Sequence, residues 1–159
     1  MLQVGHPAPS FSLPDASMEM MHLSSFRGKK NVVLYFYPRD GTPGCTIQAI
    51  DFSDREPEFA KLDTVVFGIS RDDVLSHAAF RDEQGLSVQL LADTEAAVCR
   101  KYDVIERKVV DGRAKEGISR STFIIDKKGV LRHILREVNP KDHADAVLKA
   151  VKSLDRHAH

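Results

Sequence analysis

Cysteine is scarce in this chain: there are two in 159 residues, Cys45 and Cys99. Two cysteines do not make the disulfide framework of a small secreted domain, and no Cys-x-x-Cys pair is present for thiol–disulfide exchange or a zinc ribbon. Net charge is missing as well. Lys plus Arg and Asp plus Glu both total 23, so no global field draws the chain to nucleic acid or to an anionic membrane. The longest apolar run has the length of a strand, not of a membrane-spanning helix. The opening Met1-Leu2-Gln3-Val4-Gly5-His6-Pro7 has neither the basic nor the apolar stretch of a signal peptide, and the reading is a cytoplasmic protein. Neither the P-loop pattern nor Gly-x-Gly-x-x-Gly occurs, which removes the common phosphate cradles. The seven histidines show no paired metal spacing, so no metal and no cofactor is expected. His157-Ala158-His159 reads as a frayed tail.

What is present is ordinary globular composition, 42% hydrophobic and 29% charged, enough for one domain over 1–159 with a buried core. Turn residues around 11–13 and 18–23 predict an N-terminal β-hairpin. The run Asn31-Val32-Val33-Leu34-Tyr35-Phe36-Tyr37 is apolar throughout and reads as a buried strand of a parallel sheet. A helix follows from Thr42, with a kink or break at Pro57. A second buried strand covers 64–70, and a helix over 73–84, capped by Ser70 or Asp72, stops at Gly85. Residues 87–91 form a third strand, and 95–102 a short helix capped by Asp93 or Thr94. The charged stretch 106–116 reads as a solvated loop. Strands 121–126 and 130–138 flank the Lys127-Lys128-Gly129 turn, and a helix over 140–154 closes the chain. The order implies an α/β protein with a mixed central sheet and helices on both faces.

Cys45 stands at the third position of the predicted helix, after the N-cap Thr42 and Pro43 at the first helical position. In a capping box that slot holds an acidic or amide side chain that meets the positive end of the helix. A cysteine there is favoured as the thiolate, which is the nucleophilic form. The preceding strand places it at a strand's carboxyl end, where α/β proteins carry their chemistry.

The run Val33-Leu34-Tyr35-Phe36-Tyr37-Pro38-Arg39-Asp40-Gly41-Thr42-Pro43-Gly44-Cys45-Thr46 contains Pro-x-x-x-Thr-x-x-Cys. With Gly5 to Phe11, Leu23 to Lys29 and Arg120 to Asp126, it resembles the peroxiredoxins, and among them the bacterioferritin-comigratory-protein or Q-type branch. The resemblance implies a thioredoxin-like fold and a thiol peroxidase. Cys45 would attack a peroxide oxygen and become a sulfenic acid. Thr42 would hydrogen-bond the peroxide, Arg120 would stabilise the thiolate and the moving charge, and Pro38, Gly44 and Gln48 would line the substrate pocket. The partners implied are a peroxide and a thiol reductant: thioredoxin, glutaredoxin with glutathione, or a small thiol. The branch favours a monomer over a dimer.

Many relatives carry a resolving cysteine five positions after the first, where this chain has Ile50. Others carry it on the helix after the next strand, where this chain has His77, Ala78, Ala79 and Phe80. Cys99 remains, in a helical setting that gives no reason for reactivity. The leading expectation is a one-cysteine cycle. A Cys45–Cys99 disulfide and a non-enzymatic redox sensor stand as alternatives.

Overall fold

The computed structural model describes residues 2–156; the His157–His159 tail, expected to fray, lies outside them. A short antiparallel pair, β1 (Ser12–Pro14) and β2 (Met20–His22), makes the expected hairpin and leads through a 3₁₀ turn, Leu23–Phe26. The central sheet has five strands. β3 (Asn31–Phe36), β4 (Thr64–Ser70) and β5 (Gln89–Ala92) run parallel, and β8 (Ser121–Ile125) and β9 (Leu131–Leu135) add antiparallel on the other side of β3, in the order β5-β4-β3-β8-β9. Every residue of β3 is buried, as its unbroken apolar run requires of a strand with neighbours on both edges and layers on both faces.

Alternation along β3 divides the core in two. Val33, Tyr35 and Tyr37 face one layer with α1 (Pro43–Ala60), α2 (Val74–Gln84) and α4 (His143–Arg156). Val32, Leu34 and Phe36 face the other, packed with the N-terminal hairpin, Tyr102 and the short helix α3 (Ala97–Lys101). Helices therefore lie on both faces. Tyr35 is held flat by Phe52 of α1, the ring centroids 4.5 Å apart, and it passes over Gly68 of β4. A Cβ at residue 68 would stand 2.6 Å from the Tyr35 hydroxyl, so only glycine leaves room for the phenol.

Several boundaries differ from the sequence expectation, each for a local reason. The stretch 106–116 is not a loop but a ribbon, β6 (Ile105–Val110) paired with β7 (Arg113–Ile118). Asp111 and Gly112 turn it with φ of 53° and 76°, the left-handed pair that a two-residue hairpin turn requires. Charges on the ribbon hid the pairing, and Val109 at its tip is 76% exposed. Helix α1 does not break at Pro57 but runs unbroken to Ala60. The missing N–H of Pro57 leaves the Ser53 carbonyl free, and the Ser87 hydroxyl donates to it at 3.2 Å. The cap of α2 is Asp73, whose carboxylate accepts from the Ser76 N–H, while Ser70 and Asp72 bond each other. Helix α3 is shorter than expected, and its N-cap residue is neither Asp93 nor Thr94 but Ala96, at φ 60°; Asp93 serves the first turn from further upstream, accepting from the Val98 and Cys99 N–H groups at 3.2 and 2.8 Å. The closing helix starts at His143, not at Pro140.

Candidate active site

The end of β3 is stitched to β4 by the Tyr37 N–H, which donates to the Ile69 carbonyl at 3.0 Å. Residues 38–42 then turn the chain into α1. Thr42 is the N-cap residue with an extended backbone, and Pro43 opens the helix. The cap departs from expectation in one respect: the Thr42 hydroxyl accepts nothing from the helix and donates instead to the Arg39 carbonyl at 3.1 Å. The Thr42 carbonyl accepts from both the Thr46 N–H and the Thr46 hydroxyl, at 2.9 and 2.8 Å. Cys45 sits in the first turn, whose N–H groups have no acceptor within the helix.

Cys45 is 1% exposed, but its surroundings are not purely hydrocarbon. The Arg120 Nη2 lies 3.4 Å from Sγ, and the Nη1 of the same guanidinium donates to the Gln48 Oε1 at 2.6 Å. Gln48 is wholly buried one turn after Cys45, and its Nε2 has no hydrogen-bond partner among the described residues. Arg120 stands just before β8, where its carbonyl accepts from the Val138 N–H at 3.0 Å. Gly44 makes the approach of the guanidinium sterically feasible. A Cβ there would lie 3.1 Å from the Arg120 Nη2 and 3.3 Å from the Pro140 Cγ, a tight fit that would push the guanidinium or the proline by a few tenths of an ångström.

Cys45, Gly44, Gln48 and Arg120 are thus brought together from helix α1 and the start of β8, with Thr42 one turn away. Pro38 is exposed and lines a neighbouring groove with Arg39, Arg71, Thr94 and Gly117. Cys99 is not part of the site. It belongs to the core layer on the opposite face of the sheet, where burial and then the Asp93 carboxylate push its thiol far above the ordinary cysteine range.

Three features beyond the sequence reading surround this centre. The Tyr35 hydroxyl is buried without a partner among the described residues, and burial, followed by the proximity of Cys45, holds it protonated well above the tyrosine range. His143 at the start of α4 contacts the Thr122 hydroxyl through Nε2 at 2.8 Å. Burial, and then the Arg120 charge, lower it to about 4, so it is neutral at pH 7. Asp40, Asp72 and His77 bring potential ligand atoms within 4.8 Å of one another, but each is already engaged: the Asp40 carboxylate with the His77 Nδ1, the Asp72 carboxylate with the Asp40 N–H and the Ser70 hydroxyl, and the His77 Nε2 with the Leu91 carbonyl. Only long-range geometry reveals these groups, because their partners are far apart in sequence.

The AhpC/TSA family profile matches residues 4–134. The chain belongs to that family. It is 40% identical over 153 residues to the peroxiredoxin Bcp of Bacillus subtilis, covering 96% of this chain and 97% of that one. It is 37% identical over 151 residues to the peroxiredoxin Bcp of Escherichia coli K12, covering 95% and 96%. In structure it is similar to a Xylella fastidiosa PrxQ mutant, with a TM-score of 0.90 at 32% identity over 100% of this chain and 99% of that one. It is also similar to the Xanthomonas campestris bacterioferritin comigratory protein, solved in connection with alkyl peroxide reduction, with a TM-score of 0.86 at 39% identity over 90% of each chain. The fold is accordingly thioredoxin-like, and the chain is a peroxiredoxin of the Bcp or Q type, an oxidoreductase. Among the described residues no helix is long and apolar enough to cross a membrane.

Proposed function

We propose that this peroxiredoxin reduces hydrogen peroxide and organic hydroperoxides at Cys45 by a one-cysteine cycle, with an external thiol as reductant. The observation that carries the reading is the 3.4 Å contact between the Arg120 guanidinium and the Cys45 sulfur, in the first turn of a helix. Both the cation and the helix end favour negative charge on sulfur. The thiolate sulfur takes one peroxide oxygen as the O–O bond breaks, and the other oxygen gains a proton and leaves as water or an alcohol. Arg120 and the Cys45 N–H are the donors available to the developing charge, and the Thr42 hydroxyl joins them on turning from the Arg39 carbonyl to which it donates. Gln48 fixes the guanidinium, Gly44 leaves it room, and Pro38 lines the neighbouring groove.

A first external thiol then attacks the sulfenic acid, releasing water and leaving a mixed disulfide. A second thiol frees Cys45 and departs as the oxidised reductant. The placement of Cys99 on the other face of the sheet supports an outside reductant over an internal disulfide, because the strands of the central sheet separate the two sulfurs. Thioredoxin, glutaredoxin with glutathione, or a small thiol meets the requirement. Each belongs to a reducing compartment such as the cytoplasm, and the cycle needs only a monomer.

Peroxide treatment followed by dimedone, with mass analysis under non-reducing conditions, tests the reading. The expected product is a single dimedone adduct on Cys45. An intramolecular Cys45–Cys99 bond overturns the one-cysteine route, and an untouched Cys45 overturns the peroxidase assignment for this thiol.

A further inference from the structure

Asp40 lies in the turn that joins β3 to the helix bearing Cys45, and it is the most heavily bonded side chain near the site. Its Oδ1 accepts from the Tyr37 hydroxyl at 2.6 Å; its Oδ2 accepts from the Ser76 hydroxyl at 2.8 Å and from the His77 Nδ1 at 2.7 Å. Its own N–H donates to the Asp72 carboxylate at 2.9 Å. Desolvation alone would raise the Asp40 carboxyl, but the His77, Tyr37 and Ser76 bonds together with the His77 charge hold it below the usual range.

His77 is 0% exposed, and its Nε2 lies 3.0 Å from the Leu91 carbonyl of β5. Both ring nitrogens are therefore engaged, Nδ1 with the Asp40 carboxylate and 3.4 Å from the Tyr37 hydroxyl, and Nε2 with a backbone carbonyl, which fixes the ring in place. The result is a buried pair, with the Asp40 side chain 6% exposed, that runs from the catalytic turn through α2 to the sheet edge. Among the described residues, every hydrogen bond that ties residues 38–42 to α2 or to the Ser70–Asp72 segment starts at Asp40. The other bonds of the turn stay within it or run into α1.

We propose that Asp40 and His77 are a positioning pair: they fix the 38–42 turn against α2, and so set the place of Thr42 and of the first-turn N–H groups beside Cys45, where the peroxide must sit. Neither residue touches the reacting atoms. The turn carries Thr42 directly, and a misplacement of about 1 Å in a positioning element costs about a hundredfold in rate. The proposal rests on the peroxidase reading for its rate readout, and on geometry alone for its labelling readout.

The test uses the full chain, wild type against Asp40→Asn and His77→Gln, with Tyr37→Phe as a milder variant that removes one donor to the same carboxylate. Three quantities are measured: single-turnover oxidation of Cys45 by hydrogen peroxide, site-resolved labelling of Cys45 and Cys99 by N-ethylmaleimide, and thermal unfolding. The expected result is a peroxide rate lower by about tenfold to a hundredfold and faster labelling of Cys45, while Cys99 stays protected. Cys99, buried on the far face, reports global loosening. An unchanged peroxide rate overturns the proposal, and so does accelerated labelling of both cysteines in parallel. Should the wild type consume no peroxide, the peroxidase reading fails, and selective release of Cys45 still decides whether the pair anchors the turn.

Discussion

Two cysteines of equal burial sit on opposite faces of one sheet, and they have been given opposite surroundings. Cys45 occupies the first turn of an 18-residue helix and meets a guanidinium. Cys99 sits in a five-residue helix, where burial first and then the Asp93 carboxylate, which accepts from the Cys99 N–H, raise its thiol. One is 1% exposed and the other 0%, so exposure does not distinguish them. The sign of the nearest charge does: a cation lowers the cost of a buried thiolate, and an anion adds to it.

The most severe way to probe this contrast is to remove each sulfur in turn. Cys45→Ser abolishes thiol-dependent peroxide consumption, and Cys99→Ser retains it; a steady-state assay with either variant breaks the contrast if both are inactive. Next in size is Arg120→Met. It removes a donor to the developing charge and lowers kcat/KM by about a hundredfold to a thousandfold, and Arg120→Lys recovers only part of this, because an ammonium cannot serve Gln48 and the sulfur as a fork does. The same Arg120→Met change raises the proton affinity of His143, whose ring senses that guanidinium; NMR titration of the ring checks the field independently of turnover.

A smaller effect is on stability. His143 is lowered to about 4 when folded, against about 6.5 when unfolded. The unfolded chain therefore binds the extra proton between these values, so stability is full above about 6.5 and is lost as pH falls toward 4. The loss is on the order of 3 kcal/mol, and it is checked by urea unfolding across that window, where His143→Gln loses less stability than the wild type. The smallest effect is on the Cys99 side. Asp93→Ala removes the acceptor for the first-turn N–H groups of α3 at a cost of about 1 kcal/mol, seen as a melting shift of about 2–4 °C, with peroxidase turnover unchanged.

Much of this arrangement could be read from residue order. The apolar run 31–37, the Thr42-Pro43 helix start and the Asp40-Gly41 turn are local signals, and local signals put Cys45 at a helix end after a buried strand. Arg120 came from family resemblance alone, since nothing around Ser119 to Ser121 announces a contact 75 residues away. The Asp40–His77 pair was illegible for the same reason: it joins a turn to a helix across 37 positions. The β6–β7 ribbon is hard to read in the sequence for a different reason. Its Asp111-Gly112 turn is a strong hairpin signal, but charged residues on both strands mask the alternation that marks a half-buried strand.

The phenol of Tyr35 occupies the space that Gly68 leaves vacant and supports Phe52 from beneath. Any larger residue at that strand position would press the ring against Phe52 and disturb the helix that carries Cys45. Loss of function can therefore originate in a residue that never meets a substrate, and a screen for damaged enzyme would count Gly68 among the chemically essential positions although its contribution is an absence of atoms.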